Sequence, residues 1–425
     1  MNVYEAGLVR RILTDAGFAE VEREIEADVL LMMTCSVRSH AEQRALGRIG
    51  SFRALRSARP GRVIGVLGCM AQRHKETLVK NHGVDVVVGP DEYLRLPELL
   101  AQARSGRTGL VAAALSDECY EHVAPGPRGS VTASVTVMRG CDNYCSYCIV
   151  PYVKGRERSK PFARVLAEIE NLLDAGVKDV TLLGQNVLAY KDGGRDFPAL
   201  LRAVSGIAGR TRVRFLTSHP RDLTEETVRT MAELANVCPS LHLPLQSGSD
   251  RILKLMNRGY TRAEYLKKIE LCRRLLPGLA LSTDVLVAFP SETESDFKDT
   301  LFVVQSVRFD SAYMFRYSQR PGTKAAQMHP KVSEADSGRR LARLIEVQNR
   351  ITRESNAAMV GEEHELLIEG PSPRGDGFLG RTSSGKVVIV NGPFRAGDTA
   401  VGRVTHLNGW TPVAEPVRGP AAVPV

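Results

Sequence analysis

The chain has 425 residues, of which 43% are hydrophobic and 25% are charged, and its net charge at pH 7 is +9. This length predicts two or three domains, each large enough for its own core. Eight cysteines are too few and too scattered for a disulfide framework, which excludes a disulfide-stabilised secreted protein and predicts a reducing cytoplasm. No apolar run is long enough to cross a bilayer, and Met1–Glu5 carry no signal-peptide pattern.

Residues 1–105 are predicted to form an α/β domain with a parallel sheet. An apolar helical stripe comes first, and short apolar strands then alternate with helical stretches. The strands are expected at Asp28–Met33, Arg62–Leu67 and Val84–Val88. The helices that accompany them are expected at Ser39–Ser57, His74–Lys80 and Pro97–Ala103.

Two cysteines of this domain occupy equivalent positions. Cys35 and Cys69 each fall just past the carboxyl end of a predicted strand. Open α/β sheets bind their ligands at that edge, so the two thiols are candidate ligands of a metal site. The alternative is a pair of buried, inert cysteines, because free cysteine is often buried.

A linker rich in glycine and proline is predicted over residues 106–130, followed by a strand-then-helix repeat within 131–357. Six strands and five helices predict a partial, open TIM-like barrel, and a final helix is expected at 330–357. The strands are expected at Val131–Met138, Asp179–Leu183, Val213–Leu216, Ser240–Leu245, Ala280–Val287 and Ala312–Tyr317. The helices are expected at Arg164–Ala175, Pro198–Ile207, Glu225–Ala235, Arg262–Leu275 and Glu294–Val307.

Three closely spaced cysteines are the most informative motif. Cys141, Cys145 and Cys148 have the spacing C-x3-C-x2-C and follow the first predicted barrel strand. Three thiolates can hold three irons of a 4Fe–4S cluster. The fourth iron is then open to the amino and carboxylate groups of S-adenosylmethionine, a cofactor of radical chemistry. Zinc is the alternative, although structural zinc usually takes four ligands and no histidine lies close downstream of Cys148.

Polar runs follow four of the other barrel strands. They are Gly184–Asn186, Thr217–Pro220, Gln246–Ser249 and Ala288–Glu294. Barrel chemistry takes place where strands end, so these runs are expected on one rim with the cysteines. The alternative for any single run is ordinary turn formation, which favours the same residue types.

Two basic stretches could position phosphates, or could simply be solvated. The first spans Arg38–Arg62 and is rich in arginine. The second follows the cysteines and contains Lys154, Arg156, Arg158, Lys160 and Arg164.

Residues 361–417 are predicted to form a small antiparallel β-barrel, a common nucleic-acid module. Its strands are expected at Glu365–Glu369, Phe378–Arg381, Lys386–Val390 and Val401–Leu407. Acidic and basic residues nearly balance there, so a β domain of another kind is the alternative. The tail after Val417 is expected to be disordered.

The motifs resemble the radical S-adenosylmethionine methylthiotransferases, in particular the bacterial enzymes that act on tRNA. The resemblance covers the whole chain, and its most specific part is the cysteine run with the segment after it. The similar runs are Gly140–Tyr152, Gly155–Ser159, Leu243–Ser249, Met256–Arg262, Tyr317–Thr323 and Gln348–Ile351. Gly380–Thr382 is similar to the start of the family's RNA-binding TRAM domain.

The resemblance implies an activity, namely addition of a methylthio group to C2 of N6-isopentenyladenosine beside the anticodon. A cluster on Cys141, Cys145 and Cys148 would cleave S-adenosylmethionine to a 5′-deoxyadenosyl radical. An auxiliary 4Fe–4S cluster, with Cys35 and Cys69 among its ligands, would carry the sulfur. A second S-adenosylmethionine would methylate that sulfur.

The resemblance also implies cofactor contacts and partners. The expected cofactor contacts are Tyr147, Gln185, Asn186, Ser218, Gln246 and Ser247. The expected partners are tRNA and an electron donor such as flavodoxin or ferredoxin, with an unidentified sulfur donor, no membrane and a monomeric enzyme.

The chain departs from the family pattern in two places. The family's first auxiliary-cluster cysteine lies in a Gly-Cys-Gln-Met-Asn run after a first strand, and Met1-Asn2 matches only the end of that run. We expect either a longer protein with a misassigned start or a weakened second cluster, and the strand pattern favours the longer protein. Ala288 and Ser291 also stand where the family commonly has glycine.

Two further functions therefore remain open. One is a methylthiotransferase acting on another tRNA adenosine or on a ribosomal protein, although the Gln246–Ser249 run is more similar to the tRNA branch. The other is a catalytically impaired iron–sulfur protein that binds RNA.

Overall fold

The computed structural model describes residues 1–36, 39–126 and 129–418. Arg38 of the first basic stretch, Pro127 of the expected linker and residues 419–425 of the expected tail lie outside the described residues.

The amino-terminal region is a parallel four-stranded sheet in the order β1-β2-β3-β4. The strands are β1 Val29–Thr34, β2 Val63–Gly68, β3 Val86–Val88 and β4 Leu110–Ala112. The helices are α1 Asn2–Asp15, α2 Ser39–Ala58, α3 Cys69–His74, α4 Glu76–His82 and α5 Leu96–Arg104. The apolar side chains form one cluster with α1 and α5 and another with α2, α3 and α4. This burial on both faces explains why β2 and β3 are apolar runs.

Two local predictions for this region were wrong. Strand β4 lies inside the segment expected to be a linker, because three residues beside Gly109 are too short to give a periodic signal. The helix expected at His74–Lys80 is divided between α3 and α4 at Lys75, whose φ of 41° interrupts the helical backbone.

The central region contains two parallel three-stranded sheets, in the orders β11-β8-β5 and β12-β13-β14, and two short antiparallel pairs, β6-β7 and β9-β10. The strands are β5 Thr132–Thr136, β6 Met138–Arg139, β7 Arg158–Ser159, β8 Asp179–Leu183, β9 Lys191–Asp192, β10 Arg195–Asp196, β11 Arg212–Leu216, β12 Ser240–His242, β13 Ala280–Val287 and β14 Ser311–Arg316. The helices are α6 Val150–Lys154, α7 Phe162–Asp174, α8 Phe197–Ala208, α9 Glu225–Glu233, α10 Asp250–Leu255, α11 Arg262–Leu275, α12 Glu294–Val307 and α13 Glu334–Ala357.

Several helices of this region begin at side chains that cap them. The Thr261 and Thr293 side chains each accept from the backbone N–H of the third helical residue. The carboxylates of those third residues, Glu264 and Asp296, accept in turn from the backbone N–H of the capping threonine. Such capping boxes satisfy amides that the first helical turn leaves unpaired, which fixes where α11 and α12 begin. These two helices are the ones whose predicted bounds match the structure at both ends.

The carboxyl-terminal region is a closed five-stranded barrel in the order β15-β16-β17-β19-β18. Its strands are β15 Glu363–Pro371, β16 Phe378–Thr382, β17 Val387–Val390, β18 Thr399–Asn408 and β19 Thr411–Arg418. The prediction of a small β-barrel is confirmed, but strand β19 was missed. Its two prolines argue against a strand in sequence, and here they are accommodated beside register shifts in the β18–β19 pairing.

The chain divides into two compact units, and the first joins Met1–Gly126 to Thr136–Val165 and Ser318–Ala326. The cysteine-bearing segment therefore belongs to the same unit as the amino-terminal sheet. The second unit holds most of the barrel strands, α13 and the small β-barrel. Among the described helices, none combines the length and the apolarity that crossing a bilayer requires.

Candidate functional site

The three spaced cysteines lie on a loop whose ends are held together. Strand β6 pairs antiparallel with β7, with Arg139 opposite Arg158, and the Cys141 amide donates to the Gly155 carbonyl at 3.2 Å. Gly140 has a φ of 75°, and a Cβ there would lie 1.8 Å from the Arg156 carbonyl oxygen. Only glycine fits this position, so the close approach of the two chain segments fixes the base of the loop.

The sulfur atoms of this loop receive N–H donors. The Asn143 side chain donates to Cys141 Sγ at 3.3 Å, and the Val150 amide donates to Cys148 Sγ at 3.4 Å. Cys145 is 9% exposed. Burial raises the pKa of the Cys141 thiol, while its hydrogen bonds from Asn143 lower it. Hydrogen bonds to sulfur of this kind stabilise thiolate ligands and tune iron–sulfur clusters, so the donor set fits a cluster.

Across residues 1–36, 39–126 and 129–418, no three histidine, cysteine or acidic side chains come together as ligands of one ion. This includes Cys141, Cys145 and Cys148, so the choice between a 4Fe–4S cluster and zinc at these cysteines rests on their spacing and on the four ligands that structural zinc usually takes.

Cys35 and Cys69 follow neighbouring strands at matching positions. β1 pairs with β2 so that Thr34 stands opposite Gly68, and the Thr34 hydroxyl donates to the Leu67 carbonyl at 2.6 Å. Each cysteine is therefore the next residue after a paired strand end, as the sequence predicts. Cys69 is buried, whereas Cys35 is partly exposed.

Cys69 also contacts the segment that follows the loop of the other three cysteines. It packs with Ile149 and Val153, which directly follow that loop and belong to the same unit. Burial raises the pKa of the Cys69 thiol to about 11, against which the Lys154 ammonium acts to lower it. A thiolate at this position therefore needs cations or a metal close by.

A buried charge network lies between the amino-terminal sheet and the cysteine loop. Glu5 is 1% exposed, forms ion pairs with Lys154 and, at 3.2 Å, with Arg139, and accepts from the Tyr93 hydroxyl at 3.2 Å. Asp91 bonds to Arg158 and lies 3.6 Å from Arg139. Buried ions of opposite charge must be paired, so this network fixes the loop to the sheet.

Three cations of the second basic stretch are paired inside the protein. Lys154 and Arg158 are committed to the buried network, and the Lys160 ammonium, 3% exposed as a residue, bonds to the Tyr4 hydroxyl at 2.9 Å. The expectation that these three position phosphates was wrong, because alternation along the chain cannot show which cations turn inward. Arg156 and Arg164 are exposed.

In the second unit, two predicted runs place orphaned polar atoms beyond strand ends. Asn186 is 1% exposed and donates to Asp222 at 2.6 Å, but its Oδ1 has no partner among the described residues. His219 Nδ1 accepts from the Arg221 amide at 3.2 Å, which puts the ring proton on Nε2, and this buried atom also has no partner there. Buried polar atoms without partners are costly, so a polar ligand fits this rim of β8 and β11.

His219 is held in its neutral form. Burial and the charges of Arg258, Arg221 and Lys268 lower the pKa of His219 to about 2. Its Nε2–H is therefore a donor, not a cation, throughout the physiological range.

Three other predicted cofactor residues, Ser218, Gln246 and Ser247, have partners within the protein. Ser218 donates to the His242 carbonyl. Gln246 has a φ of 64° and pairs with β13 through its backbone. Ser247 is fully buried, and its hydroxyl lies 3.3 Å from that of Thr300 on α12. These contacts within the protein explain the conformation of the three residues without a ligand. Cofactor binding by their side chains remains a prediction.

The comparisons with known proteins cover all three regions. Residues 135–304 match the radical SAM superfamily, residues 1–89 match uncharacterized protein family UPF0004, and residues 357–417 match the TRAM domain. The chain is 43% identical over 427 residues to a tRNA-2-methylthio-N(6)-dimethylallyladenosine synthase of Bacteroides fragilis, with 98% of this chain and 93% of the relative covered. It is 45% identical to the protein of that name from Phocaeicola vulgatus, with 98% and 94% covered. The chain belongs to this family.

Solved structures show the same fold at low identity. The radical S-adenosylmethionine methyltransferase TsrM from Kitasatospora setae matches with a TM-score of 0.57 at 18% identity, over 76% of this chain and 71% of that one. The cobalamin-dependent radical enzyme OxsB matches with a TM-score of 0.55 at 15% identity, over 76% and 52%. The predicted α/β class with a partial barrel and a small β-barrel is confirmed.

The sequence analysis of this synthase-family chain did not predict the buried network around Glu5. Glu5, Asp91 and Tyr93 carry no motif, and their partners in the network are more than forty positions away in the chain. The sequence signal for this network was the cluster of cations after the cysteines. Such a cluster shows that positive charge is present but does not show which acidic residues pair with it.

The loop after β13 holds two residues other than glycine at positive φ. Ala288 and Ser291 have φ of 59° and 64°, so both adopt the left-handed conformation that glycine tolerates best. Glu292 accepts from the Ala288 amide at 2.9 Å and pairs with the buried Arg340 of α13 at 2.8 Å. These two contacts of Glu292 hold the loop in place although Ala288 and Ser291 both have positive φ.

A cavity of about 620 Å³ lies in the second unit. It is lined by barrel strands and by the small β-barrel, including Asp179, Arg214, Asp310 and Lys386. These four side chains form two ion pairs at 2.8 and 2.9 Å. None of the predicted site residues lines this cavity.

Proposed function

We propose that this chain is a radical S-adenosylmethionine methylthiotransferase that modifies C2 of N6-isopentenyladenosine beside the anticodon of tRNA. The observation that carries the proposal is the loop of Cys141, Cys145 and Cys148, with N–H donors on two of its sulfurs, in a chain that matches tRNA-2-methylthio-N(6)-dimethylallyladenosine synthases along its length.

An iron–sulfur cluster and S-adenosylmethionine follow from the superfamily. Cys141, Cys145 and Cys148 would hold the cluster, which supplies one-electron chemistry that can break an unactivated C–H bond. The residues of the chain provide the surroundings. Gly140 and the β6–β7 pair set the base of the loop, and the Asn143 and Val150 donors stabilise charge on sulfur.

A second 4Fe–4S cluster on Cys35 and Cys69 is the finer part of the proposal. Support comes from the register of β1 with β2, which puts both thiols at the same sheet edge. The cations Lys154 and Arg139, whose charges lower the pKa of the buried Cys69 thiol, would stabilise its thiolate.

Contacts to S-adenosylmethionine are proposed for Tyr147, Gln185, Asn186, Ser218, Gln246 and Ser247. The side-chain oxygen Oδ1 of Asn186 would accept a hydrogen bond from the cofactor, and Nε2–H of the neutral His219 would donate one to it. We further propose tRNA and a small electron-transfer protein such as flavodoxin or ferredoxin as partners of a monomeric cytoplasmic enzyme.

Nucleoside analysis tests the function. Anaerobically reconstituted protein, incubated with dithionite, S-adenosylmethionine and tRNA containing N6-isopentenyladenosine, should produce the 2-methylthio nucleoside by mass spectrometry. Cys145→Ala should abolish both product and cofactor cleavage, whereas Cys238→Ala, a buried cysteine outside the site, should retain both. Cofactor cleavage by the wild-type protein without any methylthiolated tRNA would contradict the proposed substrate.

Iron content tests the second cluster separately. About eight irons per chain indicates two 4Fe–4S clusters, and about four indicates one. A Cys69→Ala variant should lose about four of eight irons. Unchanged iron in that variant would remove Cys69 from the ligand set.

A further inference from the structure

Two exposed tyrosines flank the cysteine loop and touch each other. Tyr144 is 41% exposed and Tyr152 is 46% exposed, and their rings meet edge to face with centroids 6.1 Å apart. Five aromatic side chains of the described residues are this exposed, the others being Phe302, Tyr313 and Trp410. Tyr144 and Tyr152 are the two of these five that pair with one another, and they do so beside the proposed reaction centre.

The backbone holds both rings outward. Tyr144 has a φ of 45°, although the left-handed conformation costs about 1–2 kcal/mol for a residue other than glycine. Its neighbours Asn143 and Cys145 are buried. Tyr152 lies on α6, whose next residue, Val153, is anchored against Cys69. The Tyr144 backbone therefore adopts an unfavourable conformation while both rings stay exposed to solvent.

An exposed cation lies on the same loop as the pair. The Arg156 side chain is 76% exposed and its Nε bonds to Asp142 at 2.8 Å. Asp142 is two residues before Tyr144, so this guanidinium is held at the same part of the loop. An exposed guanidinium beside aromatic rings is the combination that proteins use to bind single-stranded RNA, since bases stack on the rings and phosphates approach the cation.

We propose that Tyr144 and Tyr152 form a stacking platform for an unpaired nucleobase of the substrate RNA, a neighbour of the adenosine that is modified. This inference rests on the proposed function, because only a loop of RNA would bring an unstacked base to the cysteine loop. The exposed face of the ring pair stacks on the base, and Arg156 contacts the adjoining phosphate.

Binding of a fluorescein-labelled anticodon stem–loop, measured by anisotropy at fixed salt, tests the platform. Tyr152→Ala and Tyr144→Ala should each weaken binding by about fivefold to a hundredfold, the loss of one base–aromatic stack. Tyr152→Phe and Tyr144→Phe keep the ring and should bind within about twofold of wild type. Phe302→Ala removes a still more exposed aromatic from α12, 56% exposed, and should leave affinity unchanged.

Iron counted in each variant controls for damage to the cysteine loop. If Tyr144→Ala loses iron, the Tyr152 variants decide the matter, because Tyr152 lies outside the cysteine triplet. Wild-type affinity in Tyr152→Ala, or an equal loss in the Phe and Ala variants, would overturn the platform. Failure of the wild-type protein to bind or modify the RNA would instead overturn the proposed function, so the two failures are distinguishable.

Discussion

At the scale of single residues, the most consequential feature is the buried carboxylate of Glu5. It faces Lys154 and Arg139 in a region where all three are nearly inaccessible to water. Burial on its own would raise the pKa of Glu5, but the Lys154 and Arg139 charges lower it below its ordinary value. The carboxylate is therefore ionised and depends on both cations.

Replacing Lys154 should expose that dependence. Lys154→Met should lower the free energy of unfolding by about 3 kcal/mol, because it leaves part of a buried negative charge uncompensated. Lys154→Arg keeps the charge and should cost less. The measurement is urea denaturation under anaerobic conditions.

The matched control is an exposed pair of the same domain. Arg11 and Asp15 form an ion pair at 2.8 Å with both side chains more than half exposed. Arg11→Ala should cost less than about 1 kcal/mol. Equal losses in Lys154→Met and Arg11→Ala would show that the Glu5 network is not a buried ion pair in solution.

At the scale of elements, the loop between β6 and β7 depends on one glycine. The sequence predicts a single strand over Val131–Met138, but the structure ends β5 at Thr136 and begins the two-residue β6 at Met138. The break turns the chain so that β6 can pair with β7 beyond the cysteines. Periodicity along one strand cannot reveal a pairing with a segment twenty residues later.

Gly140→Ala should therefore disrupt this loop. The new methyl group would meet the Arg156 carbonyl at 1.8 Å, and φ would remain at 75°. We expect a loss of iron from the reconstituted protein and destabilisation of about 3 kcal/mol or more, from backbone strain and overpacking together.

Gly17→Ala separates these two causes. Gly17 also has a positive φ, 87°, but no atom lies within 4 Å of an added Cβ. That variant should cost about 1–2 kcal/mol and keep its iron. Full iron content in Gly140→Ala would contradict the assigned geometry of the loop.

At the scale of the whole molecule, the net charge of +9 favours a polyanionic partner. The structure shows that little of this net charge is internal, because eight buried Lys and Arg face six buried Asp and Glu among the described residues. Arg62 is 4% exposed and bonds to backbone carbonyls, and Arg56 pairs with Asp85 at 2.8 Å. Most other cations of the described residues, such as Arg156 and Arg164, are exposed.

Binding to tRNA should accordingly weaken with salt. Each phosphate contact releases counterions, so the logarithm of the association constant should fall linearly with the logarithm of salt concentration. An interface that neutralises about four phosphates predicts a slope of about −3 to −4. The measurement is an anisotropy titration from 50 to 300 mM potassium chloride, with sucrose of equal osmolality as the control, and a flat response to salt would exclude an electrostatic interface.

The sequence by itself determined the order of the three regions, and it carries the prediction that the spaced cysteines bind a cluster. The spacing of Cys141, Cys145 and Cys148 is local, and the periodicity of α11, α12 and β13 is set by which faces are buried, so both can be deduced along the chain. Only the tertiary structure decided that Lys154, Arg158 and Lys160 turn inward to Glu5, Asp91 and Tyr4. It also decided that Tyr144 and Tyr152 meet at the surface, since contacts between distant segments depend on how whole elements pack and leave no periodic mark in the sequence.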